Sequence, residues 1–113
     1  MVDFEVRQDK GRLLMTLQKD LTSNTTPTME QAWQDFVQRD DPLQWRTVFV
    51  DLRETRILDS VGLNWLFAFY RQLAAAGKKI VLRVSSPAIK RVLDFACFDE
   101  FVEIRFRRRR QTR

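Results

Sequence analysis

Histidine is absent from this chain, which excludes catalytic triads built on imidazole and most metal sites. The single cysteine, Cys97, can neither close an internal disulfide nor supply a thiolate zinc site. With Phe95, Ala96 and Phe98 around it, it is expected as a buried thiol. The three glycines, Gly11, Gly62 and Gly77, are too few and too scattered for a phosphate-cradling loop or a dinucleotide fingerprint. No stretch approaches the roughly 18 apolar residues that cross a bilayer. The opening Met1-Val2-Asp3-Phe4-Glu5 lacks the basic-then-apolar order of a secretory signal, so a cytoplasmic location is expected. Neighbouring carboxylates are confined to Asp40-Asp41 and Asp99-Glu100, at predicted element ends, where capping and turn roles suit them better than paired acid–base chemistry. What remains is a binding module rather than an enzyme, with no cofactor, no metal and no small-molecule substrate expected.

The chain has 113 residues, enough for one domain with a real core, and its 44% hydrophobic and 31% charged content is ordinary for a globular protein. Its net charge of +5 is unevenly placed. Six of its 20 basic residues (Arg105, Arg107, Arg108, Arg109, Arg110 and Arg113) fall in the last nine positions, leaving 14 against 15 acidic residues, a net of −1, for the body. We therefore expect a domain over residues 1–104 and an arginine-rich tail over 105–113. Such a tail can touch phosphates or an anionic membrane surface, although a solvated, frayed end is the more frequent outcome.

Hydrophobic periodicity divides the body into eight elements. Val2, Phe4 and Val6, then Leu13, Met15 and Leu17, alternate with other residues around Asp9-Lys10-Gly11, which predicts a β-hairpin. Thr22-Ser23-Asn24-Thr25-Thr26 forms a hydroxyl-rich loop. Thr26-Pro27 opens a helix carrying Met29, Ala32, Trp33, Phe36 and Val37 at helical spacing, and Arg39-Asp40-Asp41-Pro42 closes it. Val48, Val50 and Leu52 alternate with Thr47, Phe49 and Asp51 as a strand packed on one face. After the next helix and Gly77 come a strand with Ile80, Leu82 and Val84, and a helix from Ser86-Pro87 whose stripe is Ile89, Val92, Leu93 and Ala96. A last strand is expected at Phe101-Val102-Glu103-Ile104. The order β-β-α-β-α-β-α-β predicts an α/β fold: a hairpin followed by parallel strands joined through right-handed crossovers.

The central helix begins at Asp59-Ser60-Val61-Gly62. Either Asp59 or Ser60 can cap it, since each offers a side-chain oxygen to the free amides of the first turn. Those amides and the helix dipole favour an anion nearby. Leu63, Leu66, Phe67, Tyr70, Leu73 and Ala74 form a docking stripe, yet the opposite stripe carries Val61, Trp65 and Ala68 with Phe69 on its flank, wetted only by Asn64, Arg71 and Gln72. A helix apolar on both faces is either sandwiched in a core or offers a patch to a partner. Trp65 is the expected anchor of such a patch, the alternative being packing under the N-terminal loop.

Val48-Phe49-Val50-Asp51-Leu52 followed by Leu58-Asp59-Ser60-Val61-Gly62-Leu63 resembles the strand, Asp-Ser-x-Gly turn and helix of the STAS domain family. Lys79-Ile80-Val81-Leu82, Ser86-Pro87-Ala88-Ile89-Lys90-Arg91-Val92-Leu93 and Phe98-Asp99-Glu100-Phe101 are similar to that family's last strand, helix and strand. The resemblance spans nearly the whole chain. It implies a small mixed sheet with helices mainly on one face, and no enzymatic activity. It also implies regulation of transcription as in stand-alone bacterial anti-sigma factor antagonists, which bind an anti-sigma factor kinase around the helix start. Phosphorylation of a hydroxyl in the turn stops that binding. The chain departs from the pattern at two positions. The hydroxyl most often phosphorylated, second after the Asp, is here Val61, leaving Ser60 as the local acceptor. In the stretch aligned with the family's Gly-x-Leu-Asp, Lys19-Asp20-Leu21-Thr22, Lys19 and Thr22 replace the Gly and the Asp.

The candidate partner-binding residues are Thr22, Ser23, Asn24 and Thr25 of the loop, with Asp59, Ser60, Val61, Gly62, Asn64, Trp65 and Ala68 of the turn and helix. Ser60 is either a cap or a phosphate acceptor. The first expected partner is an anti-sigma factor or kinase. The alternative is the ATPase of a membrane lipid-transporting ABC complex, which the lost acceptor at Val61 favours. Nucleic-acid binding through the basic tail is the third reading.

Overall fold

Five segments of alternating apolar residues pair into one sheet, and three helices fill the intervals between them. The computed structural model describes residues 2–7, 11–41 and 44–107, with the backbone alone along 3–7. The hairpin turn at Asp9-Lys10, the helix stop at Pro42 and tail positions 108–113 lie outside the described residues. The elements are β1 (Val2–Arg7), β2 (Arg12–Leu17), α1 (Thr26–Arg39), β3 (Thr47–Asp51), α2 (Ser60–Ala75), β4 (Lys79–Val84), α3 (Pro87–Phe95), a 3-10 turn at Phe98–Glu100, and β5 (Glu103–Phe106). The α/β order is the expected one. The sheet runs β1-β2-β3-β4-β5, with β1 antiparallel to β2 and every later pair parallel.

Each crossover steps one strand further in the same direction. Because such connections are right-handed, all three helices are carried to the same face of the sheet. Burial agrees: Leu13, Met15, Leu17, Val48, Val50, Ile80, Leu82 and Val84 from the strands share one core with Trp33 of α1, Leu66 and Leu73 of α2, and Ile89 and Leu93 of α3. Each such aliphatic side chain contributes about 1.5–3 kcal/mol by leaving water. The helix ends follow from single residues. Ser86 caps α3 by accepting a hydrogen bond from the Ile89 amide. Gly77, at φ +74°, terminates α2 with the amides of Gly77 and Lys78 donating to the carbonyls of Ala74 and Leu73.

Among the described residues, no helix covers the opposite face. Register places Arg12, Thr47 and Lys79 in one row across it, Leu14, Phe49, Val81 and Glu103 in the next, and Thr16, Asp51, Arg83 and Arg105 in the third. Phe49 was expected on a solvated side, yet only 6% of it is exposed. The guanidinium groups of Arg12, Arg83 and Arg105 lie 5.6, 5.0 and 5.4 Å from its ring centroid and take the place of a helix.

Three further expectations are corrected. The stripe that α2 buries is Gly62, Leu66, Phe69 and Leu73, with Leu63, Phe67 and Tyr70 half-buried and Ala74 exposed. The helix is rolled toward α1, whose Trp33 meets Phe69 edge to face at 4.7 Å. β5 begins two residues later than predicted, because the 3-10 turn draws the Val102 amide back to the Phe98 carbonyl and delays pairing until Glu103. Arg105 therefore belongs to the sheet and not to a tail, and the Arg107 amide still donates to the Val84 carbonyl. Cys97 is exposed, not buried: it takes φ 58° at the end of α3, which turns Phe98 into the core and leaves Phe95 outside.

Candidate protein-binding site at the start of the second helix

Two loops meet where β2 and β3 end. Leu21 and Leu58 form a parallel bridge, with the Leu21 amide donating to the Ile57 carbonyl at 2.9 Å and the Asp59 amide to the Leu21 carbonyl at 3.3 Å. Asp20 adds a second lacing, as its Oδ1 accepts from the amides of Arg56 and Ile57 at 2.9 and 3.0 Å. The buried Thr55 hydroxyl donates to the Lys19 carbonyl at 3.1 Å. No sequence signal marks these links, because their partners stand 36 to 38 residues apart.

Asp59 joins the helix to the loop. One carboxylate oxygen accepts from the Gly62 amide at 2.8 Å and caps α2, while the other accepts from the Ser23 amide at 3.0 Å. The Gly62 amide, then the Ser23 amide, hold this carboxyl below its ordinary range against the opposing effect of desolvation. The cap is thus Asp59 and not Ser60. Ser60 is exposed at the first helical position, and its hydroxyl makes no hydrogen bond among the described residues. Gly62 lies against the crossing chain: a Cβ there would sit 2.0 Å from the Leu21 carbonyl oxygen. Its lack of a side chain therefore serves contact within the monomer.

The hydroxyl-rich loop is ordered by its own threonines. Thr25 Oγ1 donates to the Asp20 carbonyl at 2.6 Å and accepts from the Thr22 amide at 2.9 Å, and Thr22 Oγ1 accepts from the Asn24 amide at 3.2 Å. Thr22 and Thr25 are half-buried, whereas Ser23 and Asn24 are exposed. On α2, Val61 is 44% exposed and Asn64 and Ala68 are exposed, with Ile57 of the neighbouring loop 56% exposed. Ile57 went unnoticed in the sequence because nothing in its surroundings distinguishes it from a core residue. Trp65 is not the outward anchor expected. Half-buried in the seam between α1 and α2, its ring stacks on Phe69 at 4.9 Å and its Nε1 donates to Glu30 Oε1 at 2.8 Å.

The geometry assembles the loop residues and the helix start into one surface, and leaves Trp65 at its margin. Among the described residues, no group of His, Cys, Asp and Glu is arranged to hold a metal ion, and no helix is long and apolar enough to cross a membrane. The family model for the STAS domain matches residues 3–112.

The chain belongs to the STAS domain family.

Solved structures of similar fold include a putative anti-sigma factor antagonist from Thermotoga maritima, with a TM-score of 0.77 at 16% identity over 94% of this chain and 86% of that one. An anti-sigma factor antagonist from Mycobacterium paratuberculosis gives 0.71 at 23% identity, covering 92% and 85%. The phosphorylated Bacillus cell fate determinant SpoIIAA gives 0.66 at 15%, covering 93% and 91%. At these identities the likeness establishes a shared fold, a STAS domain resembling the anti-sigma factor antagonists.

Gly62→Ala tests the close crossing of this STAS domain. The methyl group meets backbone rather than a yielding side chain, so urea unfolding should show a loss of at least the 1–3 kcal/mol roughly typical of overpacking. Asp59 carries a pH signature. Its folded pKa is depressed, so its stabilisation is complete above the ordinary carboxyl value of 3.8 and is lost as pH falls through the lower folded value. Wild type should melt above Asp59→Asn at neutral pH, and the gap should close in acid. A gap constant from about pH 6 to about pH 2 would show that the charge contributes nothing.

Proposed function

We propose that this STAS domain is a non-enzymatic regulator of the anti-sigma factor antagonist type, which docks a protein partner of the anti-sigma factor or kinase class on the start of α2. The observation that carries this reading is the exposed apolar pair Val61 and Ile57. They flank a turn whose backbone is held by Asp59, so the surface is rigid before any partner arrives. Ser23, Asn24, Asn64 and Ala68 complete a rim that is polar or small.

Ser60 is the local acceptor for a phosphoryl switch. SpoIIAA is a protein of this fold solved in a phosphorylated form. A phosphate on Ser60 would bring a charge of about −1.5 to −2 to the rim. The amides of Gly62 and Ser23 are already engaged by Asp59, so the phosphate would meet a like charge and remain in the interface, opposing the partner. A second reading follows from Val61, which stands where antagonists usually carry the modified hydroxyl. A STAS domain without a switch suits a constitutive contact, such as the ATPase of a lipid-transporting ABC complex.

Isothermal titration of the host's anti-sigma factor tests the first reading. Val61→Lys should weaken binding at least tenfold, about 1.4 kcal/mol, with circular dichroism unchanged. Equal affinity for wild type and variant would remove α2 from the interface. Ser60→Glu should weaken the same complex in the same direction as enzymatic phosphorylation. Undiminished binding by Ser60→Glu, and no phosphate on Ser60 in protein from its host, would favour the unswitched reading.

A further inference from the structure

The helix-free face of the sheet ends in a basic cleft. Thr16, Asp51, Arg83 and Arg105 lie in one register row toward the C-terminal ends of β2, β3, β4 and β5. Arg53, Glu54, Ser85 and Arg107 extend the cleft beyond that row. Open α/β sheets bind ligands just outside the carboxyl ends of their parallel strands, which is where this cleft opens.

The charges in it are not mutually cancelled. Asp51 is occupied by Arg53, whose Nε and terminal nitrogen reach its two oxygens at 2.9 and 2.7 Å. Burial raises the Asp51 carboxyl, but the Arg53 hydrogen bonds and the charges of Arg53 and Arg83 outweigh it and hold the group ionised. Arg105 pairs with Glu103 along its own strand. No carboxylate among the described residues is in ion-pair contact with Arg83 or Arg107. Arg83 and Arg105 are also held in place, because both lie over the buried ring of Phe49. Stacking uses the face of a guanidinium and leaves its N–H edge to grip an oxyanion.

We propose that this cleft binds a compact, multiply charged phosphate group, a phosphate monoester or pyrophosphate, through Arg83, Arg105 and Arg107 with the hydroxyl of Ser85. The carboxylates Asp51 and Glu54 stand on β3 and the loop after it, so the anion sits on the β4 and β5 side. Several guanidinium donors in one concavity match a dianion better than a carboxylate, since each added N–H edge finds a further oxygen. The site lies across the sheet from the α2 surface, and its success or failure is independent of the partner-binding proposal.

The full chain, isotopically labelled, should be titrated with pyrophosphate at low salt and followed by amide NMR. Saturable shifts are expected at Arg83, Ser85, Arg105 and Arg107, weakening with added salt, with no comparable response to acetate at equal ionic strength. Arg83→Gln should reduce affinity at least tenfold. Because that change also uncovers Phe49, Arg107→Gln provides a second test free of the ring, with at least a threefold loss expected. Sedimentation with phosphatidic acid vesicles separates the two sources of the ligand. Pyrophosphate binding without vesicle binding assigns a soluble phosphate, and vesicle binding competed by pyrophosphate assigns a lipid headgroup. The proposal falls if neither probe produces saturable shifts in the cleft, if acetate produces the same ones, or if wild type and Arg107→Gln respond equally.

Discussion

The crossing of Leu21 over Gly62, clamped by the Asp59 carboxylate, is the constraint on which the candidate surface depends. A backbone carbonyl lies where any Cβ would be, and the one side chain that caps the helix also takes the amide of Ser23. Loop and helix are consequently fixed to each other by main-chain groups on both sides. Side chains at the rim can change without loosening the frame, because those of Val61, Ser60 and Asn64 take no part in that clamp. This separation of frame from rim gives a physical reason why the side chain at position 61 is free to vary.

The two faces of the sheet solve the same problem by different means. On one, three helices cover the strands with aliphatic and aromatic side chains. On the other, the ring of Phe49 is shielded by the guanidinium groups of Arg12, Arg83 and Arg105 lying over it. The first solution makes a core. The second leaves charged groups, held in defined positions, on the outside of the molecule, and so joins the shielding of an apolar ring to the making of a basic surface.

Much of the fold was legible in the sequence because its signals are local. Alternation at Leu13, Met15 and Leu17, the helix starts at Thr26-Pro27 and Ser86-Pro87, and Gly77 past the end of α2 each state a backbone conformation within a few residues. The misread features depend on neighbours distant in the chain. The roll of α2 is set by Trp33 on another helix, and so Phe69 turned inward and Trp65 became a bridge to Glu30 instead of a protruding anchor. Arg105 reads as part of a basic run until the pairing of β4 with β5 draws it into the sheet. Within the site, the Asp59 turn was visible and the choice between two caps was not, since serine and aspartate satisfy the same amides. The lacing by Asp20 had no local mark at all.

The terminal strand β5 is only four residues long, and Glu103 and Arg105 stand on its open side. A flank so short and so charged offers little for another extended segment to add to, which is how natural sheets avoid templating aggregates. The β5 edge is thus guarded against further pairing even though one face of the sheet lacks a helical cover among the described residues.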